Sequence, residues 1–218
     1  MVKDIIILGT GGNSIDILDS INEINRIDTT YNVLGFLDDD LSSQGKSIQG
    51  KPILGTLSDA KRFANTFFVN GIGSEYNFYH KKTIIGKTIL STDRFETIIH
   101  PTASVSKMST IGRGTVVFQN VTVASGVTIG NHVIILPNSV ISHDNLIGDY
   151  CCIAGGSCIS GACSIGHSVY IGTNASIRSN LTVGSECLVG MGAVVIRDVL
   201  DNTVVIGCPA YVLRKTRD

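Results

Sequence analysis

The chain has 218 residues, with 17 Lys plus Arg against 18 Asp plus Glu, a formal net charge of −1. That balance, without a basic stripe, argues against nucleic acid as a partner, and the length allows one large domain or two modest ones. Only four consecutive apolar residues, Ile5 to Leu8, precede Gly9; this is too few for a signal peptide or a membrane span, and the expected compartment is the cytoplasm.

In chain order, Ile5 to Leu8 reads as a strand that ends in Gly9-Thr10-Gly11-Gly12-Asn13-Ser14. Apolar residues then recur helically at Ile15, Leu18, Ile21 and Ile24. Strand, glycine turn and helix open a βαβ unit. Glycines at Gly11 and Gly12 let the backbone approach a ligand, and a helix N-terminus near Asn13 favours an anion such as a pyrophosphate. A full dinucleotide fingerprint would have a third glycine where Ser14 stands, so a tight turn without a ligand is the competing reading. A second strand, Val33 to Leu37, runs into Asp38-Asp39-Asp40. Carboxylates at the carboxyl end of a parallel strand lie where such sheets bind ligands, and Asp38 and Asp39 can accept hydrogen bonds from a base or sugar; a solvated acidic turn is the alternative. Leu57 to Ala64 reads as helix, Phe67 to Ile72 as a strand closed by Gly73-Ser74, Glu75 to Lys87 as helix and Phe95 to Ile99 as a last strand. Residues 1–95 are thus expected to form a small Rossmann-like α/β domain.

From Ile99 to Leu200 the sequence divides into blocks of six without insertion, each opening with Ile or Val. A helix would repeat its apolar residues at three and four, so this period excludes a long helix. A fixed hexapeptide period is the sign of a parallel β-helix, whose coils stack about 4.8 Å apart with the branched residue inward. Residues 96–218 are expected to form it, with a short tail. All six cysteines, Cys151, Cys152, Cys158, Cys163, Cys187 and Cys208, fall in this half. They form no CxxC pair and read as reduced, core-filling residues. The basic tail of Arg214, Lys215 and Arg217 reads as solvated.

The α/β domain with GTGGNS and FLDDD, this repeat, and the ending Gly207-Cys208-Pro209-Ala210 together resemble the NeuD/PglD-type sugar acetyltransferases, hexapeptide-repeat acyltransferases. The resemblance covers nearly the whole chain. It implies a left-handed β-helix, a homotrimer, acetyl-CoA as donor, and a nucleotide-linked amino sugar held by the N-terminal domain at Gly11, Gly12, Asn13, Asp38, Asp39 and Gly73. It implies a histidine base followed by an acidic residue, here His143-Asp144, and a glycine amide at Gly161 for the thioester carbonyl. Coenzyme contacts fall on Thr173, Gly190, Met191 and Gly192. The repeat supports part of this independently: three blocks make an eighteen-residue coil, so His143 lies under Gly161. Members of the family often carry a second histidine nine residues after the first; here that position is Cys152, and no neighbour in sequence supplies a base or cation to activate its thiol.

Neutral histidine accepts a proton near neutral pH, and a neighbouring carboxylate fixes its tautomer. The resulting expectation is N-acetylation of a nucleotide-linked amino sugar, a 4-amino-4,6-dideoxyhexose for surface glycans. O-acetylation of a sialic acid and a non-catalytic binding module are the alternatives. A zinc hydratase on the same β-helix, resembling the gamma carbonic anhydrases, needs two histidines five residues apart, and the sequence has none; no metal is expected. His80 falls on a helix, and His100, His132 and His167 read as surface residues.

Overall fold

The structure, a computed structural model, describes residues 2–217. Strand β1 (Lys3–Leu8), helix α1 (Gly12–Ile27) and strand β2 (Tyr31–Leu37) form the expected opening unit. A two-residue hairpin follows, β3 (Ser47–Ile48) and β4 (Lys51–Pro52), then β5 (Phe67–Asn70) and α2 (Lys81–Gly86). The parallel sheet has the order β2-β1-β5. Its central strand β1 buries Ile5, Ile6, Ile7 and Leu8 completely, as a strand covered on both faces should.

Two of the expected helices are shorter and tighter. Leu57–Arg62 is a 3-10 helix, started by a capping box in which Asp59 accepts from the Thr56 N–H at 2.9 Å. The stretch from Glu75 to Lys87 divides into a 3-10 turn at Phe78–His80 and α2. There the Asn77 side chain accepts the Ser74 N–H at 2.8 Å and closes a local turn in place of a helix.

The second half is a left-handed parallel β-helix. Seventeen two-residue strands run from Ile98–Ile99 to Val194–Val195, one per hexapeptide. Each pairs in parallel with the strand eighteen residues away, as in Ile134 with Val116 and Cys152. The strands make three faces of a prism. The block-opening residues from Val117 to Val195 point inward and are at most 3 % exposed. Left-handed backbone marks the corners at the same period, at Gly126, Asn138, Asp144, Gly156 and Ala162 among others. Buried small polar side chains then cap the corner carbonyls of the next coil: Thr115 Oγ1 donates to Gly130 O at 2.8 Å and Ser157 Oγ to Gly172 O at 2.9 Å. Cys151, Cys163 and Cys187 fill the same kind of interior position, whereas Cys158 and Cys208 are exposed and fill no core.

The α/β domain packs on the first face of the prism, which carries strands Ile98–Ile99, Val116–Val117, Ile134–Ile135, Cys152–Ile153, Tyr170–Ile171 and Leu188–Val189. Ile5, Ile17 and Ile21 share one apolar cluster with Ile98, Val116, Phe118 and Ile134. His132 belongs to this seam. It is 3 % exposed, against the surface position expected from sequence, because the Phe95 and Tyr150 rings enclose it. The end of the chain returns as a hairpin of Thr203–Ile206 with Tyr211–Lys215. Arg217 is not free in solvent: it pairs with Glu186 at 2.8 Å and donates to Tyr79 O at 3.3 Å.

Candidate active site

Three sets of residues emerge, one on the α/β domain and two on edges of the prism. The first lines an open cavity of about 560 Å³ at the carboxyl ends of β1, β2 and β5. Its centre is the turn from Gly9 to Asn13. Gly9 has φ +90°, and a Cβ there would stand 3.0 Å from Ile72 Cγ1. Gly11 is the N-cap of α1 and offers no capping side chain, so the first N–H groups of the helix face the cavity with the positive end of its dipole. That arrangement suits an anion.

At one end of this cavity lie Asp38, Asp39, Leu57 and Lys87. Asp38 accepts from Thr10 Oγ1 at 2.6 Å and from the Asp40 N–H at 2.8 Å. Asp39 accepts from the Leu57 N–H at 3.0 Å and from Lys87 Nζ at 2.7 Å. Partial burial of Asp39 opposes its charge, but the bonds from Lys87 and Leu57 and the Lys87 charge outweigh this and hold its carboxyl below the usual carboxylate range. Lys87 was not singled out from sequence. It is the cation of this end, and its approach to Asp39 depends on a tertiary contact across 48 residues. At the other end lie Gly71, Gly73, Ser74 and Asn77. The Asn13 side chain ties the two parts together by donating to Gly73 O at 2.8 Å.

The second set stands on the prism edge between the second and third faces. His143 and Asp144 follow the strand Val140–Ile141 and turn the corner. Asp144 has φ +58°. In an extended strand neighbouring side chains point apart; the left-handed residue brings both to one side. His143 Nδ1 lies 2.9 Å from Asp144 Oδ2, and both side chains are exposed. A carboxylate only accepts, so in neutral His143 the proton sits on Nδ1 and Nε2 is left with a free lone pair. The Asp144 carboxylate lies over Gly126 one coil below, where a Cβ would be 2.2 Å from Oδ1. The imidazole lies against Gly161 one coil above: a Cβ there would stand 2.5 Å from Nε2. Gly161 O accepts from the Asn180 N–H at 3.0 Å.

Thr173, Gly190, Met191 and Gly192 sit on a different prism edge, between the first and second faces. There the Gly192 N–H donates to Thr173 O at 2.8 Å, and Met191 is 75 % exposed. A hollow of about 490 Å³ beside Arg197, Pro209 and Tyr211 lies near the same end. Within one chain, then, three groups of expected site residues are apart: the cavity over the first face, the His143 edge opposite that face, and the Thr173–Gly192 edge.

Cys152 lies on the first face, is 4 % exposed, and is covered by Gly73. The fold gives it the cationic neighbour that its sequence surroundings lack, Lys81 Nζ at 3.5 Å. Both side chains of this pair are buried. Among the described residues no group of three or more His, Cys, Asp or Glu side chains could hold a metal ion, and no helix is long and apolar enough to cross a membrane.

Two family models match, the PglD N-terminal domain over residues 4–78 and the bacterial transferase hexapeptide over residues 108–143. No curated protein matches the chain. Among solved structures, the acetyltransferase domain of PglB from Neisseria gonorrhoeae in complex with acetyl coenzyme A is 29 % identical; the alignment covers 98 % of this chain and 100 % of that one, with a TM-score of 0.84. PerB from Caulobacter crescentus, in complex with CoA and GDP-perosamine, is 25 % identical over 98 % of this chain and 99 % of that one, with a TM-score of 0.84. WeeI from Acinetobacter baumannii, at 23 % identity over 97 % of this chain and 100 % of that one with a TM-score of 0.79, shares the fold.

Proposed function

Because the chain belongs to the NeuD/PglD-type sugar acetyltransferases, acyltransferases that take acetyl-CoA as donor, we propose that it acetylates the amino group of a nucleotide-linked 4-amino-4,6-dideoxyhexose, with His143 as general base. The observation that carries this reading is the His143–Asp144 pair, 2.9 Å apart, seated against Gly161. The PglB domain with acetyl coenzyme A and PerB with CoA and GDP-perosamine support the two substrates.

The nucleotide sugar occupies the cavity of the α/β domain. Its diphosphate lies at the N-terminus of α1, and its nucleoside lies toward Asp38, Asp39 and Lys87. The hexose then points toward Gly73 and Ser74. The amine attacks the thioester carbonyl while His143 Nε2 takes its proton. A C–N bond forms, the C–S bond breaks, and the proton passes from His143 to the departing coenzyme thiolate. Asp144 keeps the Nδ1 proton in place and stabilises the imidazolium. The Gly161 N–H faces the developing oxyanion.

This chemistry requires more than one chain. The cavity lies over the first face and His143 on the edge opposite it, so the base of one subunit serves the sugar held by another. A closed homotrimer satisfies this for every subunit with one interface, and it sets the His143 edge of one prism beside the Thr173–Gly192 edge of the next, with the coenzyme between them.

The test is a thiol-release assay with acetyl-CoA and a panel of UDP-, dTDP- and GDP-linked 4-amino sugars. Release above hydrolysis with one of them is expected, and His143→Ala should lower kcat by roughly 10²–10⁴, the usual contribution of a positioned base. No release with any member, or an active His143→Ala enzyme, would refute the proposal.

A further inference from the structure

Lys81 is completely buried at the seam between the two domains. Its Nζ donates to Cys151 O at 3.3 Å and lies 3.5 Å from Cys152 Sγ. An ammonium has three donors and this is a sparse set of partners for it. Burial pushes its pKa down, and the neighbouring thiols oppose that. Burying a lysine with so few partners costs stability.

What it holds lies directly above. A Cβ on Gly73 would stand 2.5 Å from Cys152 Sγ and 3.6 Å from Lys81 Nζ, so the Gly73 backbone rests on this pair. Gly73 in turn lines the cavity at the end away from Asp39 and accepts from Asn13 at the start of α1. The Cys151 carbonyl that anchors Lys81 is itself fixed in the β-helix ladder by the Ile134 N–H at 3.0 Å. The segment between Gly73 and Lys81 is also held to the second half of the chain, with the Phe78 and Tyr170 rings 6.0 Å apart and Arg217 on Tyr79 O.

We infer that Lys81 is a positioning residue for the acceptor end of the cavity: with Cys152 it fixes the height of Gly73, and so how deep the hexose enters. This rests on the acetyltransferase reading for the identity of the ligand. At the nucleoside end Asp38 and Asp39 are held by Thr10, Leu57 and Lys87, and not by Lys81 or Cys152. The pair therefore discriminates between a nucleotide sugar and its bare nucleoside diphosphate.

The experiment compares Lys81→Met, Cys152→Val and Cys152→Ser with the full-length parent. For each, KM is measured for the accepted nucleotide amino sugar and for acetyl-CoA, together with the affinity for the matching nucleoside diphosphate by calorimetry. Lys81→Met and Cys152→Val should raise the sugar KM by about tenfold, with the other two quantities within about twofold. Cys152→Ser, slightly smaller but still an acceptor for Lys81 Nζ, should stay near the parent on all three. An unchanged sugar KM, or an equal loss in all three quantities, overturns the inference. If Lys81→Met does not fold, Cys152→Val decides. If the parent binds a nucleoside diphosphate but acetylates no amino sugar, the functional reading has failed; the inference is then decided by whether Cys152→Val lowers the affinity for nucleotide sugars relative to the nucleoside diphosphate, and an unchanged ratio rejects it.

Discussion

Ser14 and Gly71 occupy one shared space. A Cβ on Gly71 would stand 2.1 Å from Ser14 Oγ and 3.0 Å from its Cα, and the Ser14 hydroxyl, fully buried, donates to Leu8 O at 3.3 Å. In a dinucleotide fingerprint a third glycine lets helix and strand approach closely. Here the small residue has moved to the neighbouring strand end, and the approach is kept.

This relationship is directly testable. Gly71→Ala should destabilise the chain by about 1–3 kcal/mol, the usual cost of overpacking a tight contact. Ser14→Gly in the same chain should restore part of that loss, since it removes the nearest atom but not the Cα. Thermal melts of the two single variants and the double variant measure the coupling. Additive losses would show that the two residues do not compete for the space.

Much of this was legible beforehand, for physical reasons. The hexapeptide period fixes the β-helix because one inward branched residue per strand is a local rule, repeated, and it specifies the stacking of His143 under Gly161 by arithmetic alone. The contact between His143 and Asp144 was not legible. It depends on a left-handed backbone at a residue that is not glycine, and no side-chain pattern announces that. Lys81 and Lys87 read as ordinary members of a helix; their contacts are with partners 71 and 48 residues away. His132 looked exposed because its burial is made by the packing of two domains, to which periodicity is blind.

Gly161→Ala should separate catalysis from folding. Its Cβ would meet the imidazole of His143 at 2.5 Å, and that side chain is exposed and free to swing away. The melting temperature should change little, while on the proposed mechanism kcat falls by about tenfold or more, because a displaced His143 loses its reach. A variant with parental kcat would mean that Gly161 does not position the base.

Asp39→Ala removes the acceptor that holds Lys87 at 2.7 Å. The pair is half exposed, so stability should change by less than about 1 kcal/mol. The KM for the nucleotide sugar should rise, with the KM for acetyl-CoA unchanged, as expected for a lost binding contact. Steady-state kinetics with each substrate varied in turn checks this; an effect confined to acetyl-CoA would place these residues in the wrong site.

His132 makes the stability of the chain sensitive to acid. Its pKa is lowered to about 4, first by burial and then by the Lys81 charge, with Asp149 pulling the other way. Among the described residues its Nδ1 has no hydrogen-bond partner, and it stacks on Tyr150 at 5.2 Å with the edge of Phe95 at 4.5 Å. In the unfolded chain the same imidazole titrates near its ordinary value, about 6.5. Above that value both states are neutral and the full stability is present. As the pH falls below it, the unfolded state binds the proton first, so stability is lost progressively until the folded state also protonates near 4. The loss attributable to this residue should reach about 2 kcal/mol by about pH 5. His132→Phe keeps an aromatic ring between Phe95 and Tyr150 and removes the titration. Denaturant unfolding at about pH 7.5 and about pH 5 should therefore show the parent losing about 2 kcal/mol more than the variant over that interval. Equal losses in both proteins would mean that other groups carry the acid sensitivity and that His132 finds a partner for its proton in the folded state.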